Sequence, residues 1–340
     1  MPDMRFAPPP AVRVSSTASG MNQVLARTLN ERLITSLLLR NDGMTRLQLG
    51  QESGLSAQTI SVIVRALEAD NLIVKGEAVR GRVGPPTVPI ILNPDGAFSL
   101  GINVGPDQLS GAIVNFTGQI VQTQQAPLPD HAPLGTALTD MVDQLMDSCA
   151  PKTRKLIAGV GVTLSDDFDD QEDVVRDIEA LLECHTQLET FIQNDVTALA
   201  SAETLFGATR RTGDFLYCYL DTCLHPRLCL SGRIHSGQTP PPFHITPPSP
   251  DHPDADWITA ASQAVVGMIS AASFLARIPT VVLASHVPEQ HISALIEATS
   301  EALSPDVTLL PSCFGQDALA AGAAALPLHP KFMSQSDTAM

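Results

Sequence analysis

The residues best suited to chemistry lie between Thr45 and Arg65. Ser56, Ala57, Gln58, Thr59, Ser61 and Arg65 recur on one side of a segment whose other side carries Ile60, Ile63, Val64 and Leu67. Those aliphatics are spaced three and four residues apart, the pattern of an amphipathic helix. Short hydroxyls, an amide and a guanidinium at the start of such a helix can contact base edges and phosphates. Gln58 is the first candidate for direct readout, because a carboxamide can bond bidentately to adenine, and Ser56, Ala57, Thr59 and Ser61 lie with it over the base edges. Thr45, Arg46 and Arg65 are placed to hold phosphates. Arg80 and Arg82, around Gly81 and before Gly84-Pro85-Pro86, form a slim cationic tip that fits a narrow, A/T-rich minor groove.

The elements that must position these groups follow from the neighbouring residues. Leu47 and Leu49 open a short helix, Gly50 stands where a second helix would cross closely, Gly54 makes a turn, and Ser56 caps the next helix. That spacing suits a helix-turn-helix, although a helical hairpin in a globular core has the same pattern. The following residues favour the first reading. Leu72–Lys75 and Thr87–Leu92 read as two strands around the Gly/Arg/Pro loop, a hairpin placed where a winged helix carries its wing. Upstream, Asn30–Arg40 supplies the remaining helix, with Leu33, Leu37 and Leu38 turned inward, and Asn93-Pro94-Asp95-Gly96 closes the unit.

Charge divides the chain in the same place. Residues 1–92 carry 10 Lys+Arg against 7 Asp+Glu, a net of +3, and the remainder carries 10 against 29, a net of −19. A basic head on an acidic body confines phosphate binding to one end and argues against the body touching DNA or an anionic membrane. No apolar run approaches the roughly 18–20 residues of a membrane span. The first 22 residues lack the apolar core of a secretory signal and read as a disordered leader. A cytoplasmic location is expected. Cys218, Cys223, His225 and Cys229 lie near one another, but their spacings match no common zinc module, and YCYL and LCLSG read as strands with small buried thiols at Cys218 and Cys229. No metal and no cofactor is expected.

From Ala97 the pattern becomes strand, turn, strand, Gly118 turn, strand. A helix over Thr136–Cys149 follows, then a buried strand over Leu156–Leu164, an acidic loop over Asp166–Asp173 and a helix over Val174–Cys184. Next come a strand ending at Asn194-Asp195 and a helix over Val196–Gly207. A second strand pair spans 214–234, and residues 237–256 form a proline-rich surface loop. Trp257–Arg277 is a long apolar helix, then Thr280–Ala284 a strand, Glu289–Leu303 a helix, Val307–Leu310 a strand and Asp317–Leu326 an alanine-rich helix. Two meanders, each followed by alternating helices and strands, describe an α/β protein of two similar lobes with a cleft between them.

The order of these parts resembles the ROK family, which groups bacterial sugar-responsive repressors with sugar kinases on an actin-like ATPase fold. The likeness runs from about Asn30 to Leu326 and follows the repressor branch, the xylose- and N-acetylglucosamine-repressor-like members. It rests on the GR-G-PP wing, ILNPDG, LGINVG with AIVNFTGQIV, GVGV, QNDVTALASAETLFGA and the terminal ALAAGAAAL. The resemblance implies a winged helix-turn-helix over 23–94, a first lobe over 95–215 to which 310–330 return, a second lobe over 216–309, and a frayed tail over 331–340. It also implies that three loops would face ATP in a family kinase. Here they read Pro106-Asp107, Asp221-Thr-Cys-Leu-His-Pro226 and Ala284-Ser285, without the glycines that let phosphate or nucleoside approach backbone N–H groups. Asn194-Asp195 match the family's sugar-binding pair, although an Asp capping the helix from Val196 would explain the carboxylate equally well. His244 falls where the family has a sugar- or zinc-binding histidine, but Pro241 and Phe243 replace the rest of that motif. The family's zinc cysteines have no counterpart, and Thr163-Leu164-Ser165 stand where its sugar loop has Pro-Gly.

The resulting expectation is a DNA-binding transcriptional regulator, a repressor of carbohydrate-related genes. Its body would be catalytically inactive, serving for dimerisation and as a candidate sensor of a sugar or sugar derivative. One winged helix makes too few contacts for useful affinity, so a homodimer or dimer of dimers on double-stranded operator DNA is expected, with the long helix around 257–277 as a candidate dimer face. The alternative is a sugar kinase carrying an extra DNA-binding domain.

Overall fold

A computed structural model describes residues 19–78, 88–128, 133–165, 172–221, 223–235 and 255–334 of the 340. The wing tip, most of the acidic loop, nearly all of the proline-rich loop with His244, and the two chain ends lie outside these residues. The head consists of α1 (Ser19–Asn41), α2 (Arg46–Ser53), α3 (Ala57–Ala69), β1 (Ile73–Lys75) and β2 (Ile90–Leu92). β1 and β2 pair antiparallel with Ile73 opposite Leu92, and Met44 adds a bridge to Ile90. α1 begins at Ser19, so helix occupies the last four residues of the stretch read as leader. Its buried face is Ile34, Leu38 and Leu39, while Leu33 and Leu37 are only half-buried. The expected close crossing at Gly50 is also corrected. A Cβ there would lie 3.5 Å from the Leu55 carbonyl oxygen and 3.9 Å from Ile60 Cγ1, ordinary contact distances.

The body contains two lobes of the same plan. The first has β3 (Phe98–Val104), β4 (Gln108–Asn115), β5 (Ile120–Pro127), α4 (Leu134–Ser148), α5 (Pro151–Arg154), β6 (Ile157–Leu164), α6 (Glu172–Thr186), β7 (Thr190–Asn194) and α7 (Asp195–Phe206). The second has β8 (Phe215–Leu220), β9 (Leu224–Leu230), β10 (Arg233–His235), α8 (Ala255–Ser273), β11 (Thr280–Ser285), α9 (Glu289–Ala302) and β12 (Thr308–Pro311), followed by α10 (Ala318–Ala325) and α11 (Leu328–Phe332). The sheets run β5-β4-β3-β6-β7 and β10-β9-β8-β11-β12, in each case an antiparallel meander extended by two parallel strands. Burial follows position. Edge strand β5 alternates between exposed and half-buried residues, whereas every residue of the central strand β3 is buried. α8 stops at Ser273 instead of Arg277, leaving Phe274 and Leu275 exposed.

α10 returns to the first lobe, where its small residues let it lie directly on the sheet. A Cβ at Gly101 of β3 or Gly161 of β6 would collide with α10 backbone atoms of Ala324 and Ala323. α11 then carries the chain back to the head. Thr35 Oγ1 on α1 donates to the Phe332 carbonyl, Ser334 N donates to Ser36 Oγ at 2.8 Å, and the Phe332 ring meets Phe116 edge-on at 4.9 Å. Leu328 and Met333 are buried. The expected fraying from Lys331 therefore does not hold for Lys331–Ser334. Across the same joint Asp42 pairs with Arg210 and Arg211, and Arg211 Nε donates to the Arg40 carbonyl at 2.8 Å. One continuous apolar cluster includes Ile34, Leu49 and Ile60 of the head and Phe116, Leu199 and Ala324 of the body.

His329 sits in this joint, and burial, followed by the nearby Arg32 charge, holds its pKa below the ordinary 6.5. Folding favours its neutral form, so its stabilising effect is complete above the unfolded pKa and is lost as pH falls through the lower folded value. In denaturant titrations His329→Gln should flatten the decline in stability below about pH 6.5. A difference between the two proteins that does not vary with pH would contradict this assignment.

Candidate nucleic-acid interface

Local bonding fixes the angle between α2 and α3. Thr45 caps α2 with a reciprocal box, its hydroxyl accepting from Gln48 N while the Gln48 side chain accepts from Thr45 N. Gly54 ends α2 in the left-handed region at φ 69°, and its N–H donates to the Gly50 carbonyl at 3.1 Å. Ser56 begins α3 two residues later, its Oγ accepting from Thr59 N at 3.1 Å. Inside the angle, Leu49, Ile60, Ile63, Val64 and Leu67 are buried against α1, Met44 and the strands.

The outer face of α3 is mostly as the sequence placed it. Ser56, Ala57, Gln58 and Arg65 are exposed, and Thr59 and Ser61 are half-exposed. The hydroxyls, however, are engaged in helix chemistry. Ser56 and Thr59 bond to each other at 2.8 Å, Ser61 donates to the Ala57 carbonyl at 2.8 Å, and Thr45 is tied to Gln48. Arg46 lies 3.9 Å from Glu68 of α3, close enough for a weak surface pair that a phosphate could displace. Gln58 and Arg65 are thus the long polar side chains presented outward from the expected set. Val62, absent from that set, is 55% exposed on the same face. Arg80 and Arg82 lie outside the described residues; β1, β2 and the Gly76 N–H bonded to the Pro89 carbonyl at 2.8 Å form the base that would carry them.

In the body the C-terminal ends of β3, β6 and β7 are aligned, with Val104 beside Leu164 and Leu164 beside Asn194. Asn194, not Asp195, is the N-cap of α7, accepting from Thr197 N at 3.1 Å. Asp195 is the first helical residue and accepts from Val196 N at 2.6 Å. Sequence reasoning missed the residue that meets them, Arg227 of β9. It is buried, and its guanidinium donates to Asn194 Oδ1 at 2.6 Å, Thr197 Oγ1 at 2.8 Å and the Pro226 carbonyl at 3.0 Å. An arginine between two apolar strand residues was its only sequence signal.

The three loops that would face ATP are occupied by their own bonds. Gly105 N donates to the Gln108 carbonyl at 2.9 Å across Pro106-Asp107. Asp221 accepts from Cys223 N at 2.7 Å and from His225 at 3.1 Å. Its carboxyl is held below the ordinary range because these bonds, with the nearby histidines, outweigh the opposing effect of its burial. Ser285 Oγ accepts from Val287 N at 3.3 Å. Burial first, then the Asp221 and Asp195 charges, pushes the Tyr219 phenol up, so it stays neutral. His244 lies outside the described residues. All six cysteines are free thiols, with Cys218 and Cys229 buried in strands. Among the described residues no helix is long and apolar enough to cross a membrane.

Comparison with known proteins agrees with this two-part plan. Residues 27–74 match the model of a winged helix-turn-helix DNA-binding domain, and residues 99–240 match that of the ROK family. The xylose repressor of Bacillus spizizenii is 24% identical over 227 residues, covering 64% of this chain and 59% of the repressor, so the matched region spans less than two thirds of that relative. A solved ROK family transcriptional regulator, described as a homologue of E. coli MLC, superposes with a TM-score of 0.60 at 16% identity, covering 90% of this chain and 97% of its own. A ROK family glucokinase from Streptomyces griseus, solved with glucose and AMPPNP, superposes at 0.51 with 15% identity, covering 68% of this chain and 99% of its own. At these identities the structures show a shared fold, and that fold serves regulators and kinases alike.

Proposed function

From the match of residues 99–240 to the ROK family and of residues 27–74 to a winged helix-turn-helix, we propose that this chain is a DNA-binding transcriptional repressor of carbohydrate-related genes. The observation that carries the proposal is the outer face of α3. Gln58 and Arg65 project from a helix whose opposite side is locked into the head's core, and the head is the net-positive part of an acidic chain. Similarity to proteins named repressors supports the regulatory direction. Arg46, and Thr45 once its hydroxyl leaves Gln48, hold phosphates beside Gln58, and Arg80 and Arg82 enter the minor groove.

The body transfers no phosphoryl group in this reading. Pro106 has no N–H to offer, Asp107 and Asp221 place negative charge where phosphate would come, and Asp221 spends its carboxylate on its own turn. The body instead dimerises the head, acts in the cytoplasm and senses a sugar or sugar derivative at Asn194 and Asp195, with His244 as a further contact. Arg227 bonds Asn194 of that site, and the packed series α7, α10 and α11, the last bonded to α1, is the route by which an occupied site would act on the head.

The test is selection of duplexes by the full-length protein from a random library, with affinities measured across salt. Enrichment of a two-fold symmetric site is expected, and no enrichment would sink the proposal. On the selected site Arg82→Ala should bind more weakly and lower the slope of log affinity against log salt by about two, one for each protomer. An unchanged slope would remove Arg82 from the interface.

A further inference from the structure

Val62 is the odd residue of α3. Ile60, Ile63, Val64 and Leu67 are each no more than 3% exposed, and Val62 is 55% exposed. At about 100° per residue, Val62 falls about 40° from Gln58 and about 60° from Arg65, whereas Leu67 lies about 140° away. A β-branched side chain in an exposed helical position is disfavoured on its own helix, which loses rotamer freedom and gains no burial from it. The exposed methyls therefore sit in the middle of the one face that carries the long polar groups.

Resting on the reading of α3 as the recognition helix, we propose that Val62 reads a thymine through its 5-methyl group. That methyl is the single apolar feature that the four bases present in the major groove, and apolar side chains are its natural contact. Gln58 lies one turn N-terminal, about 6 Å along the helix axis, and its amide suits adenine. With base pairs about 3.4 Å apart, the two side chains bear on the same short A·T stretch. Arg65, one turn further, reaches the phosphates that flank it. Val62 thus makes each half-site discriminate A·T from G·C at a position where a polar side chain would not require the methyl.

The experiment uses the full-length protein and its selected duplex. Each thymine is replaced in turn by deoxyuridine in both half-sites, which deletes the methyl and leaves base pairing intact, and binding of wild type and Val62→Ala is measured. One thymine per half-site should be found where uracil, present twice, weakens wild-type binding by roughly fifteenfold, about fourfold for each methyl. Val62→Ala should lose a similar amount on the thymine duplex and be indifferent to uracil at that position. Alanine is the better helix former, so the variant keeps its fold. Equal uracil sensitivity in the two proteins would overturn the proposal, as would an unchanged affinity of Val62→Ala or its weakening without any thymine-dependent position. Failure to select any duplex would instead bring down the recognition-helix reading on which it rests.

Discussion

Gly161→Ala should cost more than 4 kcal/mol of stability, beyond the range of most single substitutions. Added methylenes in a packed core typically cost about 1–3 kcal/mol because neighbouring side chains can adjust. Here the added methyl meets the Ala323 carbonyl oxygen and carbon, with the Leu326 Cβ beyond them, so it presses mostly on the backbone of a helix in which every residue but Leu319 is buried. Relief requires lifting α10 from β6, and β3 is tied to the same helix because a Cβ at Gly101 would collide with Ala324 N and lie 2.5 Å from the Ala320 carbonyl oxygen. Since whole domains are stable by about 5–15 kcal/mol, a large share of the total is at stake. The head should suffer too, because α10 leads into α11 and α11 is bonded to α1. Gly50→Ala is the control. Its Cβ finds ordinary contacts within a helix, so it should be neutral or stabilising by about 0.5–1 kcal/mol. Denaturant midpoints for the two variants decide the matter, and similar values would show that α10 does not pack as described.

The double variant Gln58→Ala, Arg65→Ala should bind the selected operator more weakly by roughly two to four orders of magnitude, with unchanged thermal stability. A bidentate base contact is worth about 1–3 kcal/mol, and a symmetric dimer loses it twice. In the proposed complex Arg65 adds a phosphate contact on each half-site, whose loss should weaken all sequences about equally. Both residues are exposed and neither belongs to the head's core, so near-native circular dichroism and melting are expected. Competition binding against wild type gives the answer. A loss below fivefold would mean that another face of the head meets DNA.

Much of this architecture was legible because it is local. The α3 caps, the left-handed Gly54 and the period of Ile60, Ile63, Val64 and Leu67 need no distant partner to be recognised. The meander likewise showed in its alternation and in Gly118, which turns at φ 82°. What escaped depends on distant packing. Val62 is a different case: the helix period alone puts it on the face with Gln58 and Arg65, but its aliphatic side chain hides it among Ile63 and Val64. Along α1 the spacing points Leu33, Leu37 and Leu38 inward; Leu37 packs against the core as that spacing implies, but the fully buried Ile34 falls outside it. The Thr35–Phe332 bond joins residues 297 positions apart, so the apparent tail could not be seen as part of the head's foundation. Arg227 belongs to the same class. Its partners on α7 are set by how the two lobes meet, and the cap it engages is Asn194, one residue before the carboxylate that the spacing suggested.

The central claim is a division of labour, in which the cationic end grips duplex DNA and the anionic remainder has given up nucleotide chemistry. One preparation of full-length protein tests both halves in a single titration of its selected duplex, with ATP turnover followed in the same cuvette across a panel of hexoses. The account predicts saturable, salt-sensitive duplex binding and no sugar-dependent consumption of ATP. Hexose-dependent ATP turnover by protein that binds no duplex would contradict it.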